Sequence, residues 1–132
     1  MKMLAMNQKA QQTMIVTQKE TAQQVESGEL AVFATPSLLA LVEKTAWQSI
    51  ASCLSAEQTT VGTNIVLDHL APTPVGLQVT CHTNLTTIDR KRLVFSFEVY
   101  DEVDLIAKGT HERFIVNRMQ FSEKAQQKLH QK

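Results

Sequence analysis

Residues 36–56 read PSLLALVEKTAWQSIASCLSA, the one long amphipathic stretch of the chain. At about 100° per residue, Leu39, Val42, Ala46, Trp47, Ile50, Cys53 and Leu54 fall on one face roughly 140° wide, with Lys44, Gln48 and Ser52 opposite. This period predicts a helix over 36–56. Thr35 stands just before Pro36 and has the character of an N-cap, because proline tolerates the first helical position and a threonine hydroxyl satisfies an orphan N–H. Glu43 projects into the apolar face between Leu39 and Trp47. Burying a lone ionised carboxylate costs several kcal/mol, so the position calls for a partner or a task. A half-buried Glu paired with an arginine, or one reaching water from the edge of the stripe, would be structural. A perturbed carboxylate in an apolar setting is equally a mark of functional sites.

A face this wide needs a sheet around it, and the flanking sequence supplies strands. Upstream, residues 1–12 are rich in Gln, Lys and Met and read as a frayed start. A first strand is expected over 13–17, around Met14, Ile15 and Val16, with a turn at Ser27-Gly28 before the helix. Downstream, 59–70 is β-rich, and the Ala-Pro-Thr-Pro-Val-Gly stretch at 71–76 breaks it. Residues 77–88 alternate Leu77, Val79, Cys81 and Thr83 against Gln78, Thr80, His82 and Asn84. After a polar turn at Asp89-Arg90-Lys91, residues 93–100 set Leu93, Phe95, Phe97 and Val99 against Val94, Ser96, Glu98 and Tyr100. A last strand is expected over 105–118, followed by a short polar helix capped by Ser122 and running to His130. One strand, one long helix and then a meander of strands make an α+β layout, a curved antiparallel sheet wrapped around a central helix. This is the hot-dog arrangement, predicted as one domain over 13–132. Such a sheet leaves an edge strand, and pairing with a second copy is one way to protect it; a homodimer is expected.

The bulk properties narrow the function. A chain of 132 residues is about one domain with one core. Thirteen basic and thirteen acidic side chains cancel, with no basic stripe to neutralise phosphates, which argues against nucleic acid as a partner. The apolar runs fall far short of the about 20 residues that span a bilayer. The N-terminus, with one Lys and no sustained apolar region, does not read as a signal peptide, and a cytoplasmic protein is expected. Cys53 and Cys81 lack metal-ligand spacing and read as small buried hydrophobes; no metal is expected.

Three segments can meet around the N-terminal end of the helix: Phe33-Ala34-Thr35-Pro36 with Glu43 two turns on, Val61-Gly62-Thr63 with Asp68-His69-Leu70, and Gly109-Thr110-His111-Glu112-Arg113-Phe114. Across them the chain resembles the hot-dog thioesterases similar to fluoroacetyl-CoA thioesterase. The matching stretches are VFATP at 32–36, the helix with its glutamate at 43, TVGT at 60–63, HLAPTPVG at 69–76 and GTHERF at 109–114. The likeness extends over nearly all of residues 13–124. It implies hydrolysis of a small acyl-CoA thioester, with CoA as part of the substrate and no separate cofactor. It implies Thr35, Glu43 and His69 as the catalytic set, Gly62 at the substrate carbonyl, and Arg113 and Phe33 near the substrate.

The chemistry suits these residue types. A thioester carbonyl needs a nucleophile, a base and a group to hold the developing oxyanion. A threonine hydroxyl acts only beside a base, a histidine exchanges protons near neutrality, and a glycine lets the backbone approach closely. On this reading Glu43 is buried beside His69 and Thr35. Each residue also has a plain structural role open to it: Thr35 as a cap, His69 as a strand end, Gly62 as a bulge, Arg113 as the counter-ion of Glu43. His82 and His111 read as structural, and Asp68 faces the other side of its strand from His69. A non-catalytic acyl-CoA-binding dimer and a hot-dog hydratase or dehydratase are the alternative functions.

Overall fold

The computed structural model describes residues 2–132. In chain order the elements are β1 (Lys9–Ile15), α1 (Ala22–Val25), α2 (Thr35–Ile50), β2 (Gln58–His69), β3 (Gln78–Asp89), β4 (Arg92–Tyr100), β5 (Leu105–Asn117) and α3 (Arg118–Gln127), with 3₁₀ turns at Gln18–Glu20, Ala51–Cys53 and Lys128–His130. The strands form one sheet in the order β1-β3-β4-β5-β2, antiparallel at every pairing. Helix α2 lies against one face of it. This is the hot-dog fold.

The inner face follows from the period-2 alternation of β3 and β4. Val79, Cys81 and Leu85 on β3 and Leu93, Phe95, Phe97 and Val99 on β4 are buried. They meet α2 in two clusters. Leu38, Leu41 and Val42 pack with Val79, Phe97, Val99 and Ile106, while Ala46 and Ile50 pack with Leu85, Leu93, Phe95 and Ile115. Each large apolar side chain so buried stabilises the fold by about 1.5–3 kcal/mol. The outer face is polar. One row crosses all five strands in register as Gln11, His82, Glu98, Lys108 and Asp68, so unlike charges stand side by side where cross-strand pairs stabilise most.

Several sequence expectations need correction. The buried face of α2 is Leu38, Leu41, Val42, Thr45, Ala46 and Ile50. Leu39 and Glu43 are only half-buried and Trp47 is 42% exposed, so they form a row along the flank rather than the centre. Thr45 conceals this in the sequence: it is polar by type, yet it is buried because its hydroxyl donates to the Leu41 carbonyl at 2.7 Å. The helix stops at Ile50, not Ala56. A 3₁₀ turn over Ala51–Cys53 follows, and Leu54 then extends to pack on the second cluster.

The N-terminus is not frayed to residue 12. Strand β1 begins at Lys9, and before it Asn7 N–H donates to the Leu85 carbonyl while Leu85 N–H donates to that of Gln8. Its alternation is hidden because β1 is an edge strand whose inward residues, Ala10, Gln12 and Met14, are only half-buried. Helix α3 starts at Arg118 and is capped by Asn117, whose side chain accepts from Gln120 N–H at 3.0 Å, not by Ser122. Among the described residues no helix is long and apolar enough to cross a membrane.

Strands β2 and β5 carry the site. Gly109 lets them approach, since a Cβ there would stand 1.8 Å from the Val66 carbonyl oxygen. The β2–β5 register shifts between Gly62 and Asn64, so Thr63 is an extra residue and the strand bulges.

Candidate active site

Thr35 opens α2 as its first residue. The N-cap is Ala34, with no side-chain cap bond. The expectation that Thr35 caps the helix is therefore corrected: its hydroxyl is turned away from the backbone. Thr35 Oγ1 lies 2.7 Å from His69 Nδ1, and His69 is the last residue of β2. Both line a cavity of about 400 Å³ with Ala22, Val32, Phe33 and Ala71. Burial lowers the His69 pKa, against a smaller raising effect of the Ala71 backbone. Its Nε2 is buried and finds no hydrogen-bond partner among the described residues. A neutral imidazole with its hydrogen on Nε2 accepts the Thr35 proton at Nδ1, which is the geometry of a hydroxyl beside its base.

The segment before α2 roofs this cavity because its backbone is tied down at both ends. Ala22 N–H donates to the Val32 carbonyl, Ala34 N–H to that of Glu20, and Phe33 N–H to that of Thr73 across the chain. Phe33 is 1% exposed and belongs to the first core cluster, so it forms a fixed wall of the cavity.

Glu43 sits elsewhere. At 1.5 Å per residue, eight helical positions separate it from Thr35 by about 12 Å along the axis, and among the described residues no hydrogen bond or ion pair joins it to His69. The expectation of one buried Thr35–Glu43–His69 cluster within a chain is corrected on this geometry. The Glu43 side chain is 41% exposed, and its Oε2 lies 3.1 Å from Arg113 Nη1. Arg113 is itself buried. Its Nε donates to Thr60 Oγ1 at 2.8 Å and its Nη2 to the Thr60 carbonyl at 3.0 Å, while Nη1 also meets His111 Nε2 at 3.1 Å. Burial lowers the Arg113 pKa and the adjacent Glu43 opposes that shift.

Gly62 lies under the carboxylate. A Cβ at position 62 would stand 2.6 Å from Glu43 Oε2 and 3.3 Å from His111 Cε1, so glycine is what lets Glu43 rest on the bulge. The structural roles weighed for Gly62 and Arg113, a bulge and a counter-ion, are both present. Asp68 is exposed on the outer face, aligned with Lys108, as expected. His82 is exposed too, edge-on to Tyr100. Sequence reasoning passed over Thr60, a polar type on a β-rich strand, and read His111 as structural, although its parity puts it on the inner face with Arg113 and Ile115. Among the described residues no cluster of His, Cys, Asp and Glu is arranged to hold a metal ion.

Comparisons with known proteins show the family and the fold. A family model described as fluoroacetyl-CoA-specific thioesterase matches residues 16–119. The fluoroacetyl-CoA thioesterase of Streptantibioticus cattleyicolor is 36% identical over 107 residues, covering 78% of this chain and 77% of that protein. A solved structure of the fluoroacetyl-CoA thioesterase FlK superposes with a TM-score of 0.90 at 31% identity, over 95% of this chain and 97% of the other. A structure of an FlK mutant in complex with acetyl-CoA gives 0.91 at 27% identity, over 95% and 98%.

Proposed function

The chain belongs to the fluoroacetyl-CoA-specific thioesterase family, and from that premise we propose that it hydrolyses the thioester of a small acyl-CoA to the free acid and CoA. The observation that carries this reading is the 2.7 Å contact of Thr35 Oγ1 with His69 Nδ1 at the wall of a cavity. The acyl group is small on this reading because the family and its 36% identical relative are described by the two-carbon fluoroacetyl thioester. In the reaction a water oxygen attacks the carbonyl carbon, the C–S bond breaks, and the CoA sulfur leaves to be protonated as the thiol. His69, neutral at pH 7 because burial lowers its pKa, takes the Thr35 hydroxyl proton at Nδ1 as that hydroxyl accepts one from the attacking water it positions. Gly62 lies beneath Glu43 on the bulge, so its backbone meets the thioester oxygen from the same copy as Glu43, and Arg113 stands behind that carboxylate.

Glu43 takes part from a second copy. Leu39, Glu43 and Trp47 form an incompletely buried row on α2, and β2 is an edge strand. A homodimer covering that row and edge brings the Glu43 of one copy toward the Thr35–His69 pair of the other. No cofactor is needed beyond the CoA of the substrate, no nucleic acid or membrane is a partner, and a cytoplasmic location goes with such a substrate.

The test is thiol release across a panel of acyl-CoA thioesters, from acetyl to medium-chain, with the free acid identified. Release of thiol and acid in equal amounts, fastest for short acyl groups, is expected. Binding without thiol release would leave a non-catalytic acyl-CoA binder, and product formation with the thioester intact would indicate hydratase chemistry.

A further inference from the structure

His111 is 2% exposed, and both its ring nitrogens are engaged. Nδ1 lies 2.8 Å from the Asn64 carbonyl oxygen, which can only accept, so Nδ1 carries the hydrogen. Nε2 lies 3.1 Å from Arg113 Nη1, which can only donate, so Nε2 keeps its lone pair. The two neighbours select one tautomer of the neutral ring. Burial lowers the His111 pKa; the Asn64 carbonyl, Glu43 and Glu112 raise it, and Arg113 lowers it. Phe95 stacks on the ring with centroids 6.4 Å apart, which fixes its plane.

Both contacts lead toward the groups that face substrate. Arg113 Nη1 is shared between His111 Nε2 and Glu43 Oε2, each at 3.1 Å. Asn64, whose carbonyl His111 holds, closes the bulge that begins at Gly62. We propose that His111 is a positioning residue: by accepting from Arg113 it aims the guanidinium at Glu43, and by donating to Asn64 it fixes the bulge that leaves Gly62 bare beneath that carboxylate. The inference rests on the reading of Glu43 as a group that takes part in hydrolysis. A ring merely filling the core would need neither nitrogen, and this one uses both on groups that touch the site.

The first measurement does not depend on turnover. In protein labelled with 15N-histidine, the His111 resonances at neutral pH should show a protonated Nδ1 and an unprotonated Nε2. The Nε2–H tautomer, or an imidazolium, would overturn the inference whether or not the protein is a thioesterase. The second separates the two contacts. His111→Gln keeps an acceptor near the Nε2 position, whereas His111→Asn keeps a donor near Nδ1 and removes the acceptor. Loss of a hydrogen bond to a charged group predicts a fall of about tenfold or more in kcat for His111→Asn, with KM nearly unchanged, and a smaller fall for His111→Gln. Combined with Glu43→Gln, His111→Asn should add little further loss, because groups acting through one another are non-additive. Equal losses in both variants, or losses that simply add to that of Glu43→Gln, would mean that His111 only supports the fold. Should wild type show no thiol release, rotation of the Arg113 guanidinium decides the same question. Thr60 and Glu43 still hold it in every variant, so it should be faster in His111→Asn than in wild type and His111→Gln, and equal rates in all three would overturn the inference.

Discussion

A threonine at the start of a helix ordinarily caps it. Thr35 does not, and its hydroxyl faces His69 instead. Whether that hydroxyl attacks the thioester or holds the water that does is open to a direct test. If it only positions water, it contributes one or two hydrogen bonds to a developing charge, each worth roughly 1.5–3 kcal/mol, and Thr35→Ala should leave measurable turnover while Thr35→Ser stays close to wild type. If it attacks, Thr35→Ala removes nearly all activity and a slow substrate leaves an acyl group on the protein. We expect the first outcome; a transient adduct in intact-mass spectra, absent from Thr35→Ala, would contradict it. At the same scale, titration gives stability a shape. His69 and His111 both have lowered pKa values in the fold, so below the ordinary histidine value of about 6.5 the unfolded chain binds protons that the folded one refuses. Their contribution is present above that pH and is lost as pH falls toward the folded values. Cys81 acts at the other end: burial, against the Thr45 hydrogen bond, pushes its thiol from 9.0 up to about 11, so its contribution is lost as pH rises through that range. Melting temperature measured across pH should therefore fall on both sides of neutrality, and a curve still rising below pH about 6 would contradict this.

Among the elements, α2 and the β3–β4 pair were plain in the sequence, because a 3.6-residue stripe and an unbroken period-2 alternation each have one reading. What stayed hidden had specific causes. Thr45 buries itself through a bond to its own helix, which shifted the true inner face of α2 away from Leu39 and Trp47. Strand β1 is half-buried at an edge and so lacks apolar alternation. The residue types at positions 35, 43, 62, 69 and 113 were legible, but not their partition into a Thr35–His69 pair and a Glu43–Arg113–His111 group, since helix rise alone does not say which strand ends meet which turn. The β2–β5 pair carries the strictest local demand. Gly109→Ala would place a Cβ 1.8 Å from the Val66 carbonyl oxygen, a clash with backbone that cannot rotate away. It should destabilise by more than the roughly 0.5–3 kcal/mol of an ordinary substitution. A denaturant midpoint near that of wild type would show that the two strands can part without loss.

At the scale of the whole molecule, the β2 edge of the sheet, one of its two, and the Leu39–Glu43–Trp47 flank of the helix lack neighbours among the described residues of a single chain. Light scattering at micromolar concentration should give twice the chain mass; a monomer would remove the second copy from the account. Thr35→Ala and Glu43→Gln chains, co-expressed, should form mixed dimers more active than either variant alone, since one site then keeps both wild-type groups. The central claim is that the Thr35–His69 pair hydrolyses a thioester with the help of Glu43. Its most direct test is steady-state thiol release from acetyl-CoA by wild type, His69→Gln and Glu43→Gln, with melting temperatures taken on the same samples. The account predicts that both variants stay folded and that kcat/KM falls by about 10²-fold or more in each, the usual worth of an acid–base group. A folded His69→Gln protein that releases CoA at the wild-type rate would contradict it.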